Sequence, residues 1–346
     1  MYRAERGACV TLAVLCAFAL AAGVSAYAAS AEEPWVVYDG FEGPGDGKHI
    51  VLISGDEEYR SEEALPQLGK ILAVRHGFKC TVLFAIDPES GHINPNQRDN
   101  IPGLDALQTA GLMIIATRFR NLPDDQMRHI ADFVEAGGAV LGLRTAVAGF
   151  AIPPDREYAR YSYDSEIEGW EGGFGQQVLG QTWLSHHGAH SREATRGVAA
   201  GDMEAHPILN GVEGVFGPTN VYESPLPPLG DGEVLMYGEV VAGLRPDDPA
   251  VEGAKNDPMM PIAWMRSYEL REGNRGRAFT LTMGASEDLE SEGVRRLLVN
   301  AVYWLTGVKD GILSEAGVDY VGDYQPTPFG FDAFTEGIKP SGHALP

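Results

Sequence analysis

HIVLISGDEEYRSEEALPQLGKILAVRHG, residues 49–77, decides the fold. The run 49–54 is short, apolar and suited to a strand buried on both faces. After a polar turn, Leu65, Leu68, Leu72 and His76 fall near helical spacing until Gly77 stops the helix. A strand passing straight into a helix is the first half of a βαβ unit, and the rhythm continues. Residues 78–85 and 112–116 read as strands. In 123–136, Pro123 suits a first helical turn and Asp124 and Asp125 complement its dipole. Met127, Ile130, Phe133 and Val134 form its apolar face, and Gly137-Gly138 closes it. Residues 139–143 supply a fourth strand. Strands that alternate with helices and are apolar on both sides predict an α/β fold with a doubly wound, mostly parallel sheet and helices on both faces. Ligands of such sheets bind beyond the carboxyl ends of the strands, at the switch point of strand order.

Outward from this core, residues 1–29 read as a cleavable signal peptide. Arg3 and Arg6 precede an apolar run from Ala8 to Gly23, and Val24-Ser25-Ala26 and Ala26-Tyr27-Ala28 offer small residues for cleavage. The run is slightly short for a membrane anchor. The expected location is therefore secreted or periplasmic. Residues 30–47 read as a Gly/Pro-rich linker, 48–310 as one domain and 311–346 as an extended tail. Within the domain, 150–230 is irregular and dense in Gly, Pro, Trp and Tyr. Strands resume at 233–241, 261–264 and 277–283, and a helix closes at 291–306.

Of the net charge of −23, Arg3, Glu5 and Arg6 contribute +1, which leaves −24 beyond the signal. Such a surface repels phosphate backbones and anionic lipid, so nucleic acid and, after signal cleavage, membrane are disfavoured as partners. A neutral small-molecule carbohydrate is unaffected by that field, and a homo-oligomer is left open. Cys9 and Cys16 leave with the signal, and Cys80 alone cannot form an intramolecular disulfide.

Chemistry is sought where strands end. The first is followed by Asp56, Glu57, Glu58, Tyr59 and Arg60, a cluster able to supply acid/base groups or to bind hydroxyls or a metal. The other reading is that acids before a helix favour its N-terminus, and Glu62 and Glu63 belong there. The third strand leads to Arg118 and the fourth to Arg144, as ion-pair partners of those carboxylates or as forks for ligand oxygens. In Trp183-Leu-Ser-His186-His187-Gly-Ala-His190, spacings of one and three are compatible with imidazole ligation of a divalent metal such as zinc at His186, His187 and His190. They do not match a HExxH pattern, and histidines bonded to backbone are the alternative; no cofactor is fixed by the pattern. Trp183 and Tyr59 suit stacking on sugar rings.

HIVLISGDEEYRSEEALPQLGKIL, LMIIATRFRNLPDDQM, GGAVLGLRT, FGQQVLGQTWLSHHGAH, NDPMMPIAW, TLTMGASEDLESEGVRRLLVNAVYWLTG and YQPTPFGF together resemble an exported ThuA-like subgroup, from about residue 48 to 335. The resemblance implies a class I glutamine amidotransferase-like fold, flavodoxin-like in layout, and a tie to trehalose and related carbohydrate use. Amidotransferase relatives carry a nucleophilic Cys at the tight turn after a central strand. The corresponding turn here is Gly142-Leu-Arg144-Thr145, so glutamine hydrolysis is excluded. Compared with the subgroup, Ala148 stands near a usual Thr-His, Gln181 replaces an acid, and Asn220 stands in a PTDVY-like motif. An amide still hydrogen-bonds a hydroxyl but cannot act as a base.

These readings converge on a sugar-processing, hydrolase-like enzyme with Asp56, Glu57, Glu58, Arg144 and His187 as catalytic candidates. Tyr59, Arg60, Arg118, Trp183 and Asn220 are the substrate-binding candidates. The alternative is a non-catalytic sugar-binding or assembly module with a degenerate site.

Overall fold

The computed structural model describes residue 1, residues 32–308 and residues 312–345. The expected signal peptide, 1–29, lies outside the described residues apart from Met1. In chain order the elements are β1 (Trp35–Tyr38), β2 (His49–Gly55), α1 (Ser61–His76), β3 (Lys79–Leu83), β4 (Leu112–Thr117), α2 (Asp124–Glu135) and β5 (Ala139–Leu143). They continue with β6 (Ser185–His186), β7 (Ala194–Ala199), β8 (Phe216–Gly217), β9 (Tyr222–Glu223), β10 (Glu233–Val241), β11 (Met260–Arg271), β12 (Asn274–Leu281) and α3 (Glu292–Thr306).

Ten strands form one sheet in the order β1-β3-β2-β4-β5-β12-β11-β10-β7-β8, and β6 pairs with β9 in a small ribbon. From β3 to β12 neighbours run parallel, whereas β1–β3, β12–β11, β11–β10, β10–β7 and β7–β8 are antiparallel. The expectation of a mostly parallel, doubly wound sheet is therefore corrected: the sheet is mixed, with a parallel centre and antiparallel flanks. The physical reason is connection length. Only Glu272 and Gly273 separate β11 from β12, and Gly273 has φ +82°. Two residues can close a hairpin but cannot cross over a sheet.

Within the parallel centre the alternation rule holds. Ile50 and Leu52 of β2 pack with Leu68, Leu72, Leu298 and Val302 of α1 and α3 on one face. Val51 and Ile53 pack with Met127, Ile130 and Val134 of α2 on the other. Gly77 at φ +78°, the stop the sequence announces, ends α1, and Gly307 at φ +77° ends α3. The Ser291 hydroxyl accepts from the Val294 N–H at the start of α3.

One boundary differs from expectation. Trp35–Tyr38, expected inside a linker, is an edge strand on β3. Val36 and Tyr38 are buried while Val37 is exposed, the alternation of a half-covered strand. Residues 312–345 wrap the body as an extended segment with specific anchors. The Tyr38 hydroxyl donates to the His343 carbonyl at 2.7 Å, and Arg75 donates to the carbonyls of Asp319 and Tyr320.

Order reverses between β2 and β4: the chain leaves β2 toward β3 on one side, then returns to β4 on the other. The carboxyl ends of β2, β4 and β5 thus open onto one crevice.

Candidate functional site

At that crevice lies a cavity of about 310 Å³. The turn after β2 contributes Glu58 and Tyr59, the turn after β4 Arg118 and Phe119, and the turn after β5 Thr145 and Ala148. Trp183, His186 and His190 descend from the irregular insertion, and Phe331 arrives from the C-terminal segment.

The acidic turn divides into three roles. Asp56, 1 % exposed, accepts the backbone N–H groups of Glu58 at 2.8 Å and Tyr59 at 3.0 Å, and the Thr145 hydroxyl. It shapes the turn and is not presented to the cavity. Glu57 is enclosed by three guanidinium groups: Arg118 at 2.6 Å, Arg98 at 3.0 Å, and Arg120, which donates to the other carboxylate oxygen. Arg120 is itself fully buried. Both Glu57 oxygens are engaged in this ion cluster, and the buried carboxylate does not line the cavity. Glu58 alone of the three lines the cavity. Its carboxylate lies 3.4 Å from Arg118 Nε and 3.3 Å from His190 Nε2. Burial pushes its pKa up, helped by Asp56 and opposed by Arg118, His190 and Arg144.

Asn220 is the hub behind the histidines. Its amide oxygen accepts from His190 Nδ1 at 3.1 Å, and its amide nitrogen donates to His186 Nδ1 at 3.3 Å and to the Val221 carbonyl at 3.1 Å. An amide oxygen only accepts and an amide nitrogen only donates. His190 therefore carries its proton on Nδ1, leaving Nε2 to share a proton with Glu58. His186 is an acceptor at Nδ1, and its pKa is lowered by burial and by the nearby His190, Arg144 and Arg118. The two rings lie 5.1 Å apart.

Arg144 occupies the tight turn after β5 at φ +49°, a left-handed conformation that non-glycine residues adopt rarely. Its buried guanidinium donates to the carbonyls of Asn220 and Thr282, both at 2.8 Å, and to the Tyr59 hydroxyl at 3.0 Å. It also lies over the Tyr59 ring at 4.2 Å. It fixes the backbone of the hub and does not face the cavity. Arg60, at φ +57° and fully buried, donates to the Gly330 carbonyl rather than toward a ligand.

His187 departs from the other histidines: its Nε2 lies 2.8 Å from the Lys255 carbonyl, outside the cavity lining. His186, His187 and His190 do not converge as metal ligands. Among the described residues no group of three or more His, Cys, Asp or Glu is placed to hold a metal ion. Cys80, buried in β3 with its thiol pKa pushed up by burial, offers no activated thiolate. Of the three departures from the subgroup pattern, Ala148 and Asn220 belong to the site. Gln181 is buried away from it and donates to the Pro225 carbonyl at 3.0 Å.

Residue reasoning did not single out Phe119, Thr145, Phe329 or Phe331. Two aromatics in the PTPFGF run of an otherwise polar segment were the available signal.

A mixed α/β sheet with a largely apolar, aromatic-walled cavity at its switch point has the arrangement in which α/β domains carry their ligand sites. The chain belongs to the ThuA family, described as trehalose utilisation, which it matches over residues 51–305. Comparison with curated proteins finds no match. Among solved structures it is similar to a ThuA-like protein from Bacteroides uniformis, at 16 % identity and TM-score 0.47, over 78 % of this chain and 95 % of that one. A ThuA-like protein from Parabacteroides merdae is similar at 14 % identity and TM-score 0.45, over 82 % and 97 % of the two chains.

Proposed function

We propose that this protein is an exported enzyme of carbohydrate utilisation, in which Glu58 and His190 act as one acid/base relay on a neutral sugar or keto-sugar. The observation that carries the reading is the 3.3 Å approach of His190 Nε2 to Glu58 on the cavity wall, with Asn220 fixing the imidazole from behind. A carboxyl whose pKa burial holds above its ordinary value, in hydrogen-bond reach of an imidazole, can pass a proton to or from one ligand oxygen. For hydrolysis the relay takes the proton of an attacking water and returns it to the departing oxygen. Among the described residues Glu58 is the one carboxylate lining the cavity, so the reading does not invoke the paired carboxylates that flank the bond in most glycosidases. Trp183 and Phe119 suit the apolar faces of a sugar ring, and export rests on the N-terminal sequence pattern.

The test is a panel of disaccharides, keto-sugars and sugar acids offered to the mature chain and to Glu58→Gln and His190→Gln. Turnover in the parent and its loss by about 100-fold or more in both variants is expected. Silence across the whole panel removes the reading.

Ala148 and Asn220, which stand where relatives carry titratable groups, favour a second reading as a sugar-binding module. Ala148→His with Asn220→Asp separates the two: binding in parent and variant, with turnover in neither, selects the module.

A further inference from the structure

We infer that residues 327–331 form a fixed wall of the ligand site, and that Phe331 is the specificity-determining residue that stacks on the apolar face of a bound sugar ring. The inference rests on the carbohydrate reading of the same site.

The segment is docked at both faces of its backbone. The Gly330 N–H donates to the Glu58 carbonyl at 2.7 Å, and the Gly330 carbonyl accepts from the buried Arg60. Thr327 donates to Glu63 through its N–H at 2.8 Å and its hydroxyl at 2.6 Å. The Phe329 N–H donates to Glu287 at 3.0 Å, and the Ser286 hydroxyl donates to the Thr327 carbonyl at 2.9 Å. These bonds explain why Arg60 and Glu63 sit beside the acidic turn without facing the cavity: they hold the segment against it.

Held this way, the two phenylalanines have different surroundings. Phe329 packs inward, stacked on Tyr59 with ring centroids 5.4 Å apart and edge-on to His190 at 5.4 Å. Phe331 lines the cavity yet remains 54 % exposed. It lies 5.0 Å from the Arg118 guanidinium, and Phe119 lies 4.6 Å from the same group. Phe331 thus presents open aromatic surface at the mouth of the cavity, where a bound ring would cover it. Gly330 permits the placement: its φ of +149° is a conformation essentially confined to glycine. The ligand matched to an open aromatic face beside a hydrogen-bonding relay is one ring with an apolar face and hydroxyls at its edge.

Calorimetric titration of the full mature chain with trehalose and with glucose tests this, in the parent, Phe331→Ala, Phe331→Trp and Glu58→Gln. Phe331→Ala should weaken binding of the probe the parent binds by about tenfold, of the order expected for one aromatic stacking contact. Phe331→Trp should restore it, and the melting temperature should stay at the parental value. Glu58→Gln should keep measurable binding. If the parent binds a probe and Phe331→Ala binds it equally well, the wall has no recognition role and the inference fails while the carbohydrate reading stands. A loss that Phe331→Trp does not restore, or one accompanied by a lowered melting temperature, assigns Phe331 to structure and also overturns it. If the parent binds neither sugar, this inference fails, and the panel above decides the wider reading.

Discussion

Glu62 offers a quantitative test of how the first turn of α1 is built. Its side chain is buried, neither carboxylate oxygen has a hydrogen-bond partner, and its nearest cation is Arg60 at 3.9 Å. Burial pushes its pKa from the usual 4.5 up to about 8. The folded protein therefore keeps this proton over a pH range in which the unfolded chain has released it. Stability falls as pH rises from 4.5 toward about 8 and is flat with respect to this group beyond it. Each pH step of one within that window costs about 1.4 kcal/mol, so the ceiling at pH 8 is on the order of 5 kcal/mol. Glu62→Gln keeps the shape and removes the titration. Urea unfolding of parent and variant from pH 4 to 9 should give near-equal stabilities at the acid end. The variant should then gain steadily, by several kcal/mol at pH 8. Parallel curves across the range would refute the claim that this carboxyl is buried and protonated in the folded state.

Three further outcomes follow from the geometry. Glu57→Gln leaves the buried Arg120 without its counter-charge and should destabilise by about 3–5 kcal/mol in urea unfolding. A loss below about 1 kcal/mol would mean that the arginine cluster is solvated. Asn220→Asp replaces the amide donor facing His186 with an anion, so the His186 pKa should rise in an NMR titration. An unmoved titration would show that the amide does not organise that ring. His76, buried 2.7 Å from the Tyr303 hydroxyl, is pushed down from the usual 6.5 to about 4. It must be neutral in the folded state, so stability should fall as pH drops below 6.5 and level off near 4; His76→Gln should flatten that limb in urea titrations, and an unchanged limb would place the titration elsewhere.

What the sequence disclosed was whatever local pattern determines. The β2–α1 unit, α2, β5 and α3 are written in periodicity and stop residues, and the strand-end rule brought the turns holding Glu58, Arg118 and Thr145 to one crevice. The antiparallel half of the sheet was written too, in the two-residue turn at Glu272-Gly273, but alternation upstream outweighed it. Side-chain destinations were not legible. Glu57 and Glu58 are adjacent, and only the remote Arg98 and Arg120 decide that the first is enclosed and the second open. His187 and His190 share one loop, and the Lys255 carbonyl in one case and Asn220 in the other decide which ring reaches the cavity. Glu62, read as an acid that favours the helix N-terminus, is buried in the first turn of α1.

The anchoring of Gly330 to the backbone of Glu58 has a consequence for the order in which the protein comes into being. A growing chain that has reached only residue 326 already contains every strand and α-helix of the described body, yet its crevice lacks one side. Closure of the crevice is thus deferred until residues 327–331, downstream of every strand and α-helix named above, have emerged and docked.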